Sequence, residues 1–186
     1  MNPHHAYFWK EGESTPSSII AAAGFATEAA ATIAAPFTAH PRAAIVEDMA
    51  PFRLFEHTAD IGIDADGASL AELFHAAADG LLQLLGGEPA ANLTESRTVT
   101  LFASDGEELL VSWLNEILFL LETRRFLPGA VRILEASPTR LVAELRGESL
   151  DPKRHSFARM AKAATYHNLQ LVESEGRWSA RIFIDL

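Results

Sequence analysis

The sequence predicts an α+β fold: two amphipathic helices packed on a mixed or antiparallel sheet. Two segments repeat apolar residues with the helical period, and each opens on a helix-capping pair. Shorter segments that alternate apolar and polar residues precede, separate and follow them. The resulting order is strand, strand, helix, strand, helix, then several strands, and helices laid on a sheet are the natural packing for it.

Phe52–Phe55 and Ile61–Ala65 read as the first strands; in the second, Ile61, Ile63 and Ala65 alternate with Gly62 and Asp64. Ser69 and Glu72 have capping-box spacing, and Leu70, Leu73, Phe74, Ala77, Leu81, Leu84 and Leu85 fall on one helical face. Gly86-Gly87 end that helix. Arg97–Phe102 is the next strand. Asp105 and Glu108 repeat the cap signal, and the second helix turns Leu109, Leu110, Trp113, Leu114, Ile117, Leu118 and Leu121 inward. Val131–Glu135 and Arg140–Leu145 form a hairpin across Ser137-Pro138-Thr139. Ala161–Val172 reads as a strand with a short helical lead-in. Ser174-Glu175-Gly176-Arg177 make a turn into a last strand, where Trp178, Ala180, Ile182 and Ile184 share a face. Strong β-formers and that apolar face should tie the strand into the sheet although it is terminal.

All of this lies after Met49. Residues 1–48 are rich in Ala, Thr, Pro and Ser, hold no sustained period, and are expected to be a low-complexity, disordered extension with at most a weak helix near Ile19–Ile33. Residues 49–186 are expected to form one domain. Met49 is either the start of translation or the end of a lineage-specific tail, and the sequence supports both readings.

The 186 residues are 48 % hydrophobic and 22 % charged, a globular mix with enough chain for a real core. The absence of cysteine removes disulfides, thiolate nucleophiles and thiolate metal sites. Any metal must rest on carboxylates, carbonyls or imidazoles. A net charge of −10 disfavours a broad electrostatic hold on nucleic acid. Arg140, Arg146, Lys153, Arg154, Arg159 and Lys162 form a local basic bias, which reads as a solvated surface in preference to an RNA contact. No apolar run is long enough to span a bilayer, and the Ala-rich stretch Ile19–Ala35 lacks the basic leader of a signal peptide. A cytoplasmic protein with no membrane or DNA contact is expected.

Three places could carry chemistry. Glu56-His57-Thr58-Ala59-Asp60 concentrates polar side chains between two short strands. Such a cluster is more often a turn bonding its own backbone; functionally, Asp60 is an oxygen ligand supported by Glu56 or His57. Asp185 lies beside the terminal Leu186, on the strand face of Arg181 and Phe183. Two neighbouring carboxylates repel, and a hard cation relieves the repulsion. A solvated chain end is the usual alternative, but the apolar Ile182-Phe183-Ile184 should hold this one in place. His155 and Lys162 read either as a surface loop with a snorkelling lysine or as a cation near the acidic site that contacts a protein or an RNA phosphate. His75 lies off the apolar stripe and reads as solvated. No Gly-rich phosphate loop, zinc-ligand pair or nucleophile elbow is present.

These segments together resemble the archease family. The resemblance rests on Phe55–Ile63, Ser69–Phe74, Leu110–Phe119, Gly147-Glu148, His155, Lys162–Leu169 and Trp178–Leu186, in order and to the final residue. It implies an archease-like single domain that is not itself an enzyme. Archeases assist the RtcB-type RNA ligase, promoting its guanylylation and repeated turnover in tRNA splicing and RNA repair, with RNA contacted mainly through the ligase. It implies a metal site, described with calcium, on Asp60, Asp185 and Leu186, the last through its terminal carboxylate or backbone oxygen. Lys162 matches the lysine needed for activation, and His155, Glu56 and His57 are further candidates for activation or partner contact. The family pattern gives residues 1–48 no role. Two rival readings remain: a metal-dependent hydrolase using His57 and Asp60, which needs a positioned base and an open metal position, and a chaperone or RNA-binding module using the basic Arg140–Lys162 region.

Overall fold

The computed structural model describes residues 51–57, 60–86 and 92–186, with only the backbone of His57. The expectations for residues 1–48 lie outside them. The elements run β1 (Phe52–His57), β2 (Asp60–Gly67), α1 (Leu70–Leu85), β3 (Glu95–Phe102), α2 (Gly106–Glu122), β4 (Phe126–Ser137), β5 (Arg140–Ser149), β6 (Ala163–Ser174) and β7 (Arg177–Asp185).

Both helices begin where their caps place them. Ser69 accepts from the N–H of Glu72 at 3.2 Å, and the Glu72 carboxylate reaches back to the N–H of Ala68 at 2.7 Å. Asp105 accepts from the N–H of Glu108 at 2.8 Å, and Glu108 returns to the N–H of Ser104 at 2.8 Å. The first N–H groups of a helix lack intrahelical partners, so these bonds satisfy donors that would otherwise need water. Gly86 closes α1 at φ 64°, a left-handed position that glycine enters without a side-chain clash.

The strands form two antiparallel sheets. The first has the order β1-β2-β7-β6 and the second β3-β5-β4. The last strand is therefore paired on both sides, as its β-formers anticipate. α1 packs on β1, β2 and β7 of the first sheet and on β4 of the second; α2 packs on β6 of the first and on β3 and β4 of the second. The helices thus lie between the sheets. This explains why Ala76, Ala78, Gly80, Val111 and Leu120 are buried although they lie off the predicted stripes. The indole N–H of Trp113 donates to the carbonyl of Phe74 at 3.0 Å inside the core, joining the two helices. Among the described residues, no helix is long and apolar enough to cross a membrane.

The helical lead-in to β6 is absent. Residues 151–155 form a turn, and the following residues run irregularly to Lys162. Ala158 and Arg159 both donate their N–H groups to the carbonyl of Leu85, at 3.0 and 3.3 Å. Those donors cap the end of α1 and do not start a helix of their own.

Candidate functional site

β2 and β7 turn alternate residues to opposite sides. Ile61, Ile63, Ile182 and Ile184 enter the core, so Asp60, Gly62 and Asp64 take the outer face, with Arg181, Phe183 and Asp185. The antiparallel register sets Asp60 directly opposite Asp185. Side chains so paired share a face, with Cβ atoms about 4.5–5.5 Å apart, and like charges there destabilise the sheet. The fold thus joins the two acidic candidates that are far apart in sequence, and places Leu186 one residue beyond them.

Lys162 completes the cluster. Its N–H donates to the carbonyl of Asp185 at 2.8 Å. Its ammonium lies 4.0 Å from the Asp185 carboxylate and hydrogen-bonds the main-chain oxygen of Leu186. The start of β6 is held from the helix layer by Asn115 of α2, whose carboxamide accepts from the N–H of Ala164 at 2.9 Å and donates to its carbonyl at 3.1 Å. Sequence reading missed Asn115, since a polar residue between apolar helix positions reads as solvated. Its one signal was its place inside Leu110–Phe119.

Glu56, His155 and His75 have partners of their own, apart from the contacts of this cluster. Glu56 is highly exposed and lies 3.7 Å from Arg159. His57 is the register partner of Asp60, and its side chain lies outside the described residues. His155 is buried and not on a surface loop. Its Nδ1 accepts from the N–H of Asp151 at 3.0 Å, and its Nε2 is 3.5 Å from Glu148. The N–H of Asn92 also donates to Glu148, and Arg154 pairs with it. The Arg154 hydrogen bond, reinforced by Asn92, outweighs burial and holds the Glu148 carboxyl down to about 2. His75 is half-exposed, 3.4 Å from Asp79.

Beside the acidic pair, the outer face is covered. The Phe55 ring lies over Gly62, meets Phe183 edge-on at 5.6 Å, and carries the Arg181 guanidinium 4.9 Å above it. Arg181 and Arg53 hydrogen-bond Asp64 at 2.7 and 2.8 Å. Burial pushes the Asp64 carboxyl up, but these bonds overcome it and leave it below the usual range. Within the basic bias, Arg140 pairs with Glu135, Arg154 with Glu148 and Asp151, and Arg159 with Glu56.

Among the described residues, no three His, Asp or Glu side chains gather as a metal cluster. A cation here would rest on two carboxylates and the main-chain oxygen of Leu186. An all-oxygen set, partly open to solvent, that already attracts an ammonium fits a hard divalent ion better than a soft one.

Helices enclosed between antiparallel sheets, with an acidic site where two central strands end side by side, define a small α+β protein with a strand-end oxygen site. The chain belongs to the archease family: the family model described as Archease protein family (MTH1598/TM1083) matches residues 52–186. It is 35 % identical over 136 residues to protein archease of Thermococcus kodakarensis, covering 71 % of this chain and 96 % of that protein. Protein archease of Methanosarcina acetivorans is 32 % identical over 139 residues, covering 73 % and 95 %. The solution structure of Methanobacterium thermoautotrophicum protein 1598 superposes with a TM-score of 0.61 at 29 % identity, covering 74 % of this chain and all of that one. An archease crystal structure from Thermotoga maritima, at 22 % identity and a TM-score of 0.51, shares the fold.

Proposed function

We propose that this protein is a non-catalytic accessory factor that activates an RtcB-type RNA ligase, promoting its guanylylation and repeated turnover in tRNA splicing or RNA repair in the cytoplasm. Membership of the archease family supports the accessory role. The observation that carries the site is the register pairing of Asp60 with Asp185 beside Leu186 and Lys162.

In this reading Asp60, Asp185 and Leu186 hold a divalent cation, calcium. Such an ion would offer its open coordination positions to water, to ligase carboxylates or to nucleotide phosphates. Asp60 and Asp185 stand opposite each other on paired strands, which supports a site preformed by the sheet. Lys162 supplies a positive charge at its rim, and the Glu56–Arg159 ion pair is a separate candidate for partner contact. RNA meets the complex through the ligase, in keeping with a net charge of −10 and with Arg140, Arg154 and Arg159 engaged by carboxylates.

The test is multiple-turnover ligation with the partner ligase, comparing wild type with Asp60→Ala, Asp185→Ala and Lys162→Ala. Each substitution should reduce stimulation severely, and the isolated protein should join no RNA. Full stimulation by all three variants would overturn the site assignment. Residues appended after Leu186 should weaken calcium binding, as calorimetry would read, if its main-chain oxygens are ligands.

A further inference from the structure

Lys162 combines a fixed backbone with a flexible, exposed side chain. Its N–H is anchored to the carbonyl of Asp185 at 2.8 Å, and Asn115 clamps Ala164 two residues on. Its side chain is 69 % exposed, yet the ammonium turns back onto the Leu186 oxygen, 4.0 Å from the Asp185 carboxylate. The lysine head therefore uses oxygens that a cation at this site would use. A flexible four-carbon stem joins it to the backbone, so it can leave without moving β6 or β7.

We infer that Lys162 and a divalent cation exchange at this site: the ammonium serves as an internal counter-ion for Asp185 and Leu186, and cation binding expels it toward solvent. This rests on the reading of Asp60, Asp185 and Leu186 as ligands. The charges favour the exchange. A single ammonium does not balance Asp60 and Asp185 together, and a divalent ion does. Ammonium and ion cannot share the same oxygens without repulsion. Exchange also couples the two halves of the site, because the loaded form extends a freed ammonium beside the cation. A partner carboxylate or phosphate would then meet both.

Calorimetric titration with calcium chloride tests this on the full chain, using wild type, Lys162→Met, Lys162→Arg and Asp185→Asn. Removing the internal competitor should make Lys162→Met bind about tenfold tighter than wild type, the scale of repulsion between an ammonium and a divalent ion a few ångströms apart in solvent. Lys162→Arg, which keeps the charge, should stay near wild type, and Asp185→Asn should lose binding. A second readout is labelling of the Lys162 amine by an acylating reagent, followed by mass spectrometry, which should rise when calcium is added. Unchanged affinity in Lys162→Met, or labelling indifferent to calcium, overturns the exchange while leaving the ligand assignment intact if Asp185→Asn still loses binding. If neither wild type nor Lys162→Met binds calcium, both readings fall.

Discussion

Asn115 reaches from α2 with both ends of its carboxamide to Ala164, two residues beyond the lysine at the site. Asn115→Ala should lower stability by about 1–3 kcal/mol in urea unfolding, because it removes two hydrogen bonds from part-buried main-chain groups. The Ala164 amide should also exchange faster. A loss below about 0.5 kcal/mol, with Ala164 still protected, would show that water replaces the clamp at little cost. Glu148 gives a pH prediction. Its folded carboxyl sits near 2, below the ordinary 4.5, so its stabilising contribution is present above pH 4.5 and is lost as pH falls through 2. Unfolding curves of wild type and Glu148→Gln should therefore converge as pH drops across that window. Parallel pH profiles would contradict the assignment. At this scale the acidic residues were legible and the clamp that Asn115 places on β6 was not. Asp60 and Asp185 stood out as polar residues at strand ends and the archease resemblance joined them in one site; the register adds that they stand directly opposite each other. His155 looked like a surface histidine because sequence does not report depth.

The elements were legible where local chemistry decides them. Capping pairs set the starts of α1 and α2, and Glu175 and Gly176, at φ 53° and 73°, form the tight turn between β6 and β7. The lead-in expected from Ala161 was misread because the Lys162 N–H is taken by the carbonyl of Asp185, a tertiary event with no local signal. β6 also carries an irregularity between Thr165 and Gln170, where Asn168 takes φ 50°. Asparagine tolerates that region, so it was the sequence's one clue. The close covering of β2 yields a further prediction. A Cβ on Gly62 would fall 2.0 Å from the Phe55 ring. Gly62→Ala should therefore displace that ring from Phe183 and Arg181 and cost about 1–3 kcal/mol in thermal or urea unfolding. Unchanged stability would mean that the ring moves freely and that this face is loosely packed.

For the molecule as a whole, the class was legible and the layering was not. Alternation shows which side of a strand is apolar, but not which sheet the strand joins. The division into two sheets, which buries the helices on more than one side, had to come from the structure. So did the placing of β7 between β2 and β6, which sets Asp185 opposite Asp60. Because the acidic pair is built wholly from strands after Met49, removing residues 1–48 should leave calcium affinity and ligase stimulation unchanged. A large loss of either would give that segment a role the family pattern does not. The measurement that bears most directly on the central claim is formation of the covalent ligase–guanylate adduct, followed over time with this protein in stoichiometric amount. Wild type should accelerate adduct formation, and a variant carrying both Asp60→Asn and Asp185→Asn should not. Equal acceleration by that variant, or none by wild type, would contradict the account.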